Sequence, residues 1–141
     1  MSKIAENLNL EEIKIGMSRE FSVSLTEEMV EKFAGLSGDF NPLHMDESYA
    51  ENTRFKKRVV HGMLLASFFS RLVGMHLPGK KALYLLQKLK FKNPAFIGDN
   101  LRIVGKVTAV SEQLKLITLE TMILNSSGQI LVEGEAKVTL I

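Results

Sequence analysis

The pattern of hydrophobic and polar positions first predicts a strand and then a series of helices. Residues 18–25 alternate apolar and polar side chains, as a half-buried β-strand does. Thr26 is a good N-cap for the helix that follows, whose apolar stripe ends near Gly38, a residue suited to terminating a helix. Asp46 is placed to cap a further short helix. Residues 62–75 carry apolar side chains on nearly every face, which predicts a helix buried on most sides.

The second half of the chain changes to the period of β-strands. Residues 83–92, 101–110, 115–124 and 130–140 are strand-like segments separated by turns. In the first of them, one face of the strand is predicted to carry Leu83, Leu85, Gln87, Leu89 and Phe91. The order of strand, helices and antiparallel strands is typical of an α+β domain. A curved antiparallel sheet wrapped around a central helix satisfies both patterns, and that architecture is the hot-dog fold.

The composition favours one globular domain. A chain of 141 residues with 45% hydrophobic and 24% charged residues predicts a single domain over residues 1–141, with residues 1–12 as an N-terminal arm. The absence of cysteine excludes disulfides, thiolate metal sites and cysteine nucleophiles. The first residues lack the order of a secretory signal, and the apolar stretch of residues 62–75 is too short to span a membrane. We therefore expect a cytoplasmic protein without a membrane partner.

The charge of the chain disfavours nucleic acid as a partner. The net charge is only +2, there are two Tyr and no Trp, and basic residues do not interleave with aromatic ones. A small basic excess suits an anionic small molecule or an acidic carrier protein equally well.

The densest group of reactive and turn-forming side chains lies in residues 37–46. Asp39 and His44 flank Pro42, which stiffens the turn between them and so could bring a carboxylate and an imidazole together. Such a pair can activate a water and deliver a proton, as the hydration of a conjugated double bond requires. The same reaction needs a donor for a developing enolate oxygen, and the backbone N–H of Gly62 at a helix start can supply one.

Two sequence blocks carry a resemblance to a known family. The first is AGLSGDFNPLHMD at residues 34–46, and the second is VVHGMLLAS at residues 59–67, at the spacing expected from the first. Weaker matches are the residues around 77–79, 87–91 and 96–99. With them the chain resembles the MaoC-like hydratase family from the first strand to the C-terminus, and it is similar to the single-domain (R)-specific enoyl-CoA hydratases of that family.

The resemblance implies a hot-dog homodimer that hydrates trans-2-enoyl-CoA reversibly to (R)-3-hydroxyacyl-CoA without a metal or other cofactor. Asp39 and His44 match the catalytic pair of the family, Gly62 matches its oxyanion donor, and Ser70 matches a serine of its central helix near the active site. Other substrate-binding candidates from the residues themselves are Gln87, Asn41 and His61. For Asn41 a bracing role before the proline is favoured, and for His61 a role in orienting the helix start.

Several alternatives stay open from the sequence. The nearest rival is a 3-hydroxyacyl-ACP dehydratase of fatty acid synthesis, and the others are a hot-dog thioesterase and a non-catalytic acyl-thioester-binding module. A metal site at His44, Asp46 and His61 is chemically conceivable, although the resemblance implies none. The tight basic cluster at residues 56–58 could receive nucleotide phosphates or an acidic carrier. Acyl chain length, direction of flux and the identity of the base within the pair are undetermined.

Overall fold

The computed structural model describes residues 2–141. Its helices are α1 (Glu27–Ser37), α2 (Pro42–Met45), α3 (Glu47–Glu51) and α4 (Gly62–Arg71), and α4 continues into a π-helical turn (Leu72–His76). Its strands are β1 (Ser18–Ser24), β2 (Ala82–Phe91), β3 (Asn100–Ser111), β4 (Leu116–Asn125) and β5 (Ile130–Leu140). A short 3-10 turn (Leu10–Glu12) precedes β1. Within the described residues, every helix is too short or too polar to cross a bilayer.

The five strands form one antiparallel sheet in the order β1-β3-β4-β5-β2, so β1 and β2 are its edges. Helix α4 packs against this sheet, and the buried residues of the shared core include Leu65, Phe69, Leu72, Ile103 and Ile123. Full burial of a side chain such as that of Phe69 contributes about 1.5–3 kcal/mol relative to exposure. The predicted α+β fold, a curved sheet around a central helix, is confirmed.

The helix ends follow the local signals in the sequence. The Thr26 hydroxyl accepts a hydrogen bond from the Met29 N–H at 3.2 Å and caps α1. Gly38 ends that helix in the left-handed region, with φ of 81°, where a residue with a Cβ would be strained. Asp46 caps α3 by accepting from the Tyr49 N–H at 3.1 Å. These predicted caps are therefore confirmed, and they set the two boundaries of the segment rich in reactive residues.

The N-terminal segment lies along the turn that follows α4. The Glu6 N–H donates to the Met75 carbonyl at 2.9 Å, and the Lys80 N–H donates to the Glu6 carbonyl at 2.7 Å. Asn7 forms an isolated antiparallel bridge with Gly79. These backbone contacts fasten the segment before β1 to the end of the central helix.

The prediction that the central helix is buried on most sides is wrong for one of its faces. Leu64, Leu65 and Phe69 are buried, but Met63, Ser67 and Ser70 are exposed in the single chain. The reason is that the sheet covers only one side of the helix, whereas the apolar count along the sequence does not distinguish an uncovered apolar face from a buried one.

The predicted inner face of β2 is wrong in its first half. In the pairing with β5, Tyr84 lies opposite Val138 and Leu86 lies opposite Lys137, so Leu85 is an extra, unpaired residue. A bulge of one residue reverses the side-chain alternation on one side of it. Tyr84 is consequently half-buried with Gln87 and Leu89, while Leu83 and Leu85 are exposed.

Gly134 on β5 provides a test of how closely β2 approaches its neighbour. A Cβ at this position would lie 1.9 Å from the backbone oxygen of Lys88. Backbone cannot move aside as a flexible side chain can, so we expect Gly134→Ala to destabilise the fold by about 1–3 kcal/mol. The measurement is the free energy of unfolding from denaturant titration.

Gly35 is the matched control for this substitution. It lies inside α1, where an added Cβ meets nothing within 4 Å. Gly35→Ala should stabilise the protein by roughly 0.5–1 kcal/mol, because alanine loses less backbone freedom in a helix. Equal stability of the two variants would show that β2 does not lie against Gly134 as described.

Candidate active site

The loop between α1 and α2 is ordered by its own short polar side chains. The Asp39 N–H donates to the Ser37 hydroxyl at 3.1 Å, and the Asp39 carboxylate accepts from the Asn41 N–H at 3.1 Å. The Asn41 side chain in turn accepts from the Leu43 N–H at 2.9 Å and caps α2, whose first residue is Pro42. Successive side-chain-to-backbone bonds of this kind replace regular structure in a turn. The loop therefore holds Asp39 in a defined orientation, and Asn41 braces it.

Asp39 and His44 face one another across a short gap. His44 Nδ1 lies 2.6 Å from the Val59 carbonyl oxygen, so Nδ1 carries the proton and donates it. His44 Nε2 is thereby left as the free nitrogen, 3.9 Å from Asp39 Oδ2. That separation is too long for a direct hydrogen bond, but a third group such as a water can bridge it. Asp39 is 48% exposed and His44 17%, so the pair is accessible from outside.

His61 lies behind this pair and is only 2% exposed. Its Nε2 lies 3.0 Å from the Asp39 carbonyl oxygen, and its ring stacks on that of His44 with centroids 4.1 Å apart. On another side Phe33 packs against the ring at 4.9 Å. Nδ1 of His61 is buried and has no hydrogen-bond partner among residues 2–141.

Gly62 is the first residue of α4. The N–H groups in the first turn of a helix have no intrahelical acceptor, and the helix dipole makes this end positive. A Cβ at Gly62 would lie 2.9 Å from the Phe91 ring, so the absence of a side chain allows that ring to lie against the helix start. Gly62 and His44 line the same cavity of about 360 Å³, which also touches Phe91 and Lys92.

Ser70 and Gln87 line a second cavity, of about 380 Å³, on the exposed face of α4. Its other lining residues are mostly apolar: Phe33, Met63, Ala66, Ser67, Tyr84 and Leu89. Ser67 bonds back to the Leu64 carbonyl at 2.6 Å, whereas Ser70 makes no such contact with the preceding turn. Among the candidates, His44 and Gly62 thus line the first cavity, and Ser70 and Gln87 line the second, which Met63 next to Gly62 also lines.

The Gln87 side chain is held by three polar partners. It accepts from the Tyr84 hydroxyl, and its amide donates to the Thr121 hydroxyl at 3.0 Å and to the Lys88 carbonyl at 2.8 Å. Partial burial raises the pKa of Tyr84 to about 12, so this hydroxyl stays protonated and remains a donor at neutral pH. Gln87 thus has polar partners inside the sheet, and its contact with substrate stays a prediction.

Arg58 has a role that the sequence did not reveal. Its Nε donates to the His44 carbonyl at 2.6 Å and its Nη1 to the Glu27 carboxylate at 2.8 Å, and its side chain is almost fully buried. Of the basic cluster at residues 56–58, Arg58 is thus occupied by contacts within the protein, while the binding of phosphates or a carrier by this cluster stays a prediction. The only sequence signal for Arg58 was a basic residue immediately before a motif, which does not distinguish a buried arginine from a solvated one.

The three groups Asp39, His44 and His61 each offer a ligand atom, and these atoms lie within 4.8 Å of one another. One carboxylate and two imidazoles form a donor set that zinc accepts. One nitrogen of each ring is already bonded to a backbone carbonyl, which leaves one free nitrogen per ring. Asp46, named with these histidines from the sequence, instead caps α3.

Comparisons with known proteins identify relatives of this chain. An (R)-specific enoyl-CoA hydratase from Aeromonas caviae is 44% identical over 94% of this chain and 99% of its own. The solved structure of an unliganded R-hydratase from Pseudomonas aeruginosa matches with a TM-score of 0.92 at 34% identity, covering 96% of this chain and 87% of that one. A mitochondrial 3-hydroxyacyl-[acyl-carrier-protein] dehydratase from Solanum lycopersicum is 37% identical over 91% of this chain and 78% of its own. The model of the MaoC-like domain matches residues 10–126, and the chain belongs to that family.

Proposed function

We propose that this protein is a hydro-lyase that adds water to trans-2-enoyl-CoA and forms (R)-3-hydroxyacyl-CoA reversibly. The observation that carries this proposal is the Asp39–His44 pair, whose facing atoms stand 3.9 Å apart beside the N-terminus of α4. The high identity to (R)-specific enoyl-CoA hydratases supports the same activity. A hot-dog thioesterase would share the fold but not the loop from Asp39 to His44, and a module that only binds thioesters has no need of a pair that activates water.

In the proposed reaction, a water bound between Asp39 and His44 loses a proton to one of them. The resulting hydroxide attacks C3 of the substrate, and the π electrons of the C2–C3 bond move to the thioester oxygen as an enolate. The enolate then collapses and C2 takes a proton from the pair, so that a C3–O and a C2–H bond replace the π bond. Because one pair serves both steps, water and proton add from the same side. Which residue is the base stays open, since coupled groups titrate as a pair.

The Gly62 N–H is proposed to receive the enolate oxygen. It has no acceptor within α4, and it stands at the positive end of the helix, where a developing negative charge is stabilised. The apolar cavity lined by Ser70 and Gln87 adjoins this end and is the proposed acyl site. The reaction as written needs no metal or other cofactor.

The test follows the absorbance of crotonyl-CoA and longer enoyl-CoAs with purified protein, with the product identified by dehydrogenases specific for the (R) or (S) alcohol. Wild-type protein should hydrate the substrate to the (R) product. Asp39→Asn and His44→Ala should each lower kcat about 10²–10⁴-fold, because each removes one positioned acid or base. The thermal midpoint should show that both variants remain folded.

A different loop carboxylate provides the control. Asp46 caps α3 and stays outside the proposed chemistry, so Asp46→Asn, which keeps a capping oxygen, should leave kcat near that of wild type. The catalytic assignment is wrong if either catalytic variant keeps more than about a third of the wild-type kcat. Exclusive (S) product would contradict the proposed placement of the pair.

The alternative substrate is a thioester on acyl carrier protein, as the name of the relative from Solanum lycopersicum indicates for that protein. Arg58 of the basic cluster is committed to Glu27 and to the His44 carbonyl. Only Lys56 and Lys57 of the basic cluster remain, and they line a cavity with three glutamates. These carboxylates would repel an acidic carrier helix and the phosphates of coenzyme A alike. The identity of 44% to an (R)-specific enoyl-CoA hydratase, against 37% to the dehydratase, favours coenzyme A.

We therefore expect a higher kcat/KM for the coenzyme A thioester than for the carrier-protein thioester. The same acyl chain should be compared on both carriers at matched ionic strength, because charged surfaces respond to salt. A tenfold preference for the carrier protein, equal to about 1.4 kcal/mol of transition-state binding, would reverse the choice of substrate.

The cytoplasmic location expected from the sequence remains a prediction.

We further propose that two copies pair through the β2 edges of their sheets. Edge strand β2 exposes Leu83, Leu85, Leu86 and Phe91, and Met63 of α4 is exposed as well. A long apolar edge with unpaired backbone groups is an aggregation hazard unless another strand covers it. A twofold pairing of identical edges covers it in both copies.

The oligomeric state provides the test of this proposal. Wild-type protein should sediment as a dimer at micromolar concentration, and Leu85→Lys should shift it to monomer because a charge would lie in the apolar contact. Leu114→Lys is the control, since Leu114 is 70% exposed but lies in the turn between β3 and β4, away from the β2 edge. A stable, active wild-type monomer would rule out the proposed dimer.

A further inference from the structure

His61 contacts every group of the proposed reaction, although it takes no part in the mechanism itself. Its Nε2 lies 3.0 Å from the Asp39 carbonyl oxygen, and its ring stacks on the His44 ring at 4.1 Å. Its own carbonyl accepts the Leu64 N–H at 3.1 Å and so begins the hydrogen bonding of α4. His61 thus contacts both catalytic residues through its side chain and the start of the helix through its backbone carbonyl.

The hydrogen bond to Asp39 defines which nitrogen carries the proton. A carbonyl oxygen only accepts, so Nε2 of His61 must be the donor. Phe33 contacts the ring at 4.9 Å and His44 stacks on it, which limits the rotation of the imidazole about its bond to Cβ. The donor is therefore aimed at one carbonyl by the packing of the ring between its neighbours.

The third connection is covalent. The N–H proposed to receive the enolate oxygen belongs to the peptide bond between His61 and Gly62, and that peptide is planar. Fixing the backbone of His61 therefore fixes the direction of this N–H. His61 Nε2 also donates a hydrogen bond to the Asp39 carbonyl. The acid–base pair and the oxyanion donor are therefore held in fixed positions relative to one another.

The unpartnered Nδ1 indicates that packing alone does not explain the residue. A buried acceptor without a hydrogen bond is destabilising, and a phenylalanine or leucine would fill the same space without it. What a histidine supplies here, and those residues do not, is the Nε2–H donor toward Asp39. The buried Nδ1 without a hydrogen bond is destabilising, and a histidine cannot supply the Nε2–H donor without it.

We propose that His61 is a positioning residue, which holds Asp39, His44 and the Gly62 N–H at the mutual distances that hydration requires. This inference rests on the proposed function and deepens it by naming a residue that acts on the rate through others. Small errors in the placement of reacting groups are costly, since a displacement near 1 Å can lower a rate roughly 10²-fold.

The first experiment replaces His61 by glutamine or asparagine, whose side-chain amides each place a nitrogen where one ring nitrogen of the histidine lies. The amide nitrogen of glutamine reaches the position of Nε2, and that of asparagine reaches the position of Nδ1. We expect His61→Phe and His61→Asn to lower kcat roughly 10²-fold with KM changed less than threefold. His61→Gln should recover at least tenfold of that loss, because it restores the donor to the Asp39 carbonyl.

The second experiment asks whether His61 acts through His44 and Asp39. In a His44→Ala background the loss from His61→Phe should shrink to less than about threefold, because the pair it positions is already incomplete. His76 provides a matched control, since it is a partly buried histidine that stacks on Phe21 at 5.4 Å and lies 3.6 Å from a Glu6 oxygen. His76→Phe should leave kcat near that of wild type.

The outcomes separate this inference from the proposed function. A wild-type protein that does not hydrate enoyl-CoA overturns the function, and the inference is then decided by nitrogen NMR of the His44 ring. Its signals should change in His61→Phe and return toward the wild-type positions in His61→Gln. The inference is overturned if His61→Phe keeps kcat within threefold of wild type, if asparagine rescues as well as glutamine, or if the loss is undiminished in the His44→Ala background. If His61→Phe does not fold, the comparison of glutamine with asparagine decides alone.

Discussion

Helix α4 lies against the sheet with its apolar residues buried, and the position of every group of the proposed site depends on that packing. Leu65, Phe69 and Leu72 lie in one core with residues of β3, β4 and β5. A close-packed interior cannot shift one of these side chains without displacing others. The N-terminus of α4 is thereby fixed in space, and Gly62 stands there with its N–H free of any intrahelical acceptor.

Around this fixed helix end, backbone carbonyls rather than side chains serve as the anchors of the site. The Asp39 carbonyl holds His61, the Val59 carbonyl holds His44, and the His44 carbonyl is held by Arg58. Each bond joins residues 39–44, which span the α1–α2 loop and part of α2, to the segment before α4. Two short irregular segments thus become one rigid unit, as a preorganised acid–base pair requires.

Strand β2 connects the proposed acyl site with the proposed dimer contact. Tyr84, Gln87 and Leu89 face the apolar cavity on α4, whereas Leu83 and Leu85 face outward at the sheet edge. The bulge at Leu85 permits both, because it reverses the alternation part of the way along the strand. Pairing of two copies at this edge would therefore also restrain the strand that lines the cavity.

The sequence by itself determined the helix caps, the strands, the family and the loop that carries Asp39 and His44. Those features depend on neighbours within a few positions, such as Thr26 three residues before the N–H that it caps. Only the tertiary structure decided that Arg58 is buried and that the His61 side chain reaches the Asp39 carbonyl. It also decided that the side-chain alternation of β2 reverses at Leu85. The contacts of Arg58 and His61 join residues 14 to 31 positions apart, and the bulge depends on the pairing with β5. Local residue patterns carry no information about such partners, because the chain brings them together only when the sheet closes around α4.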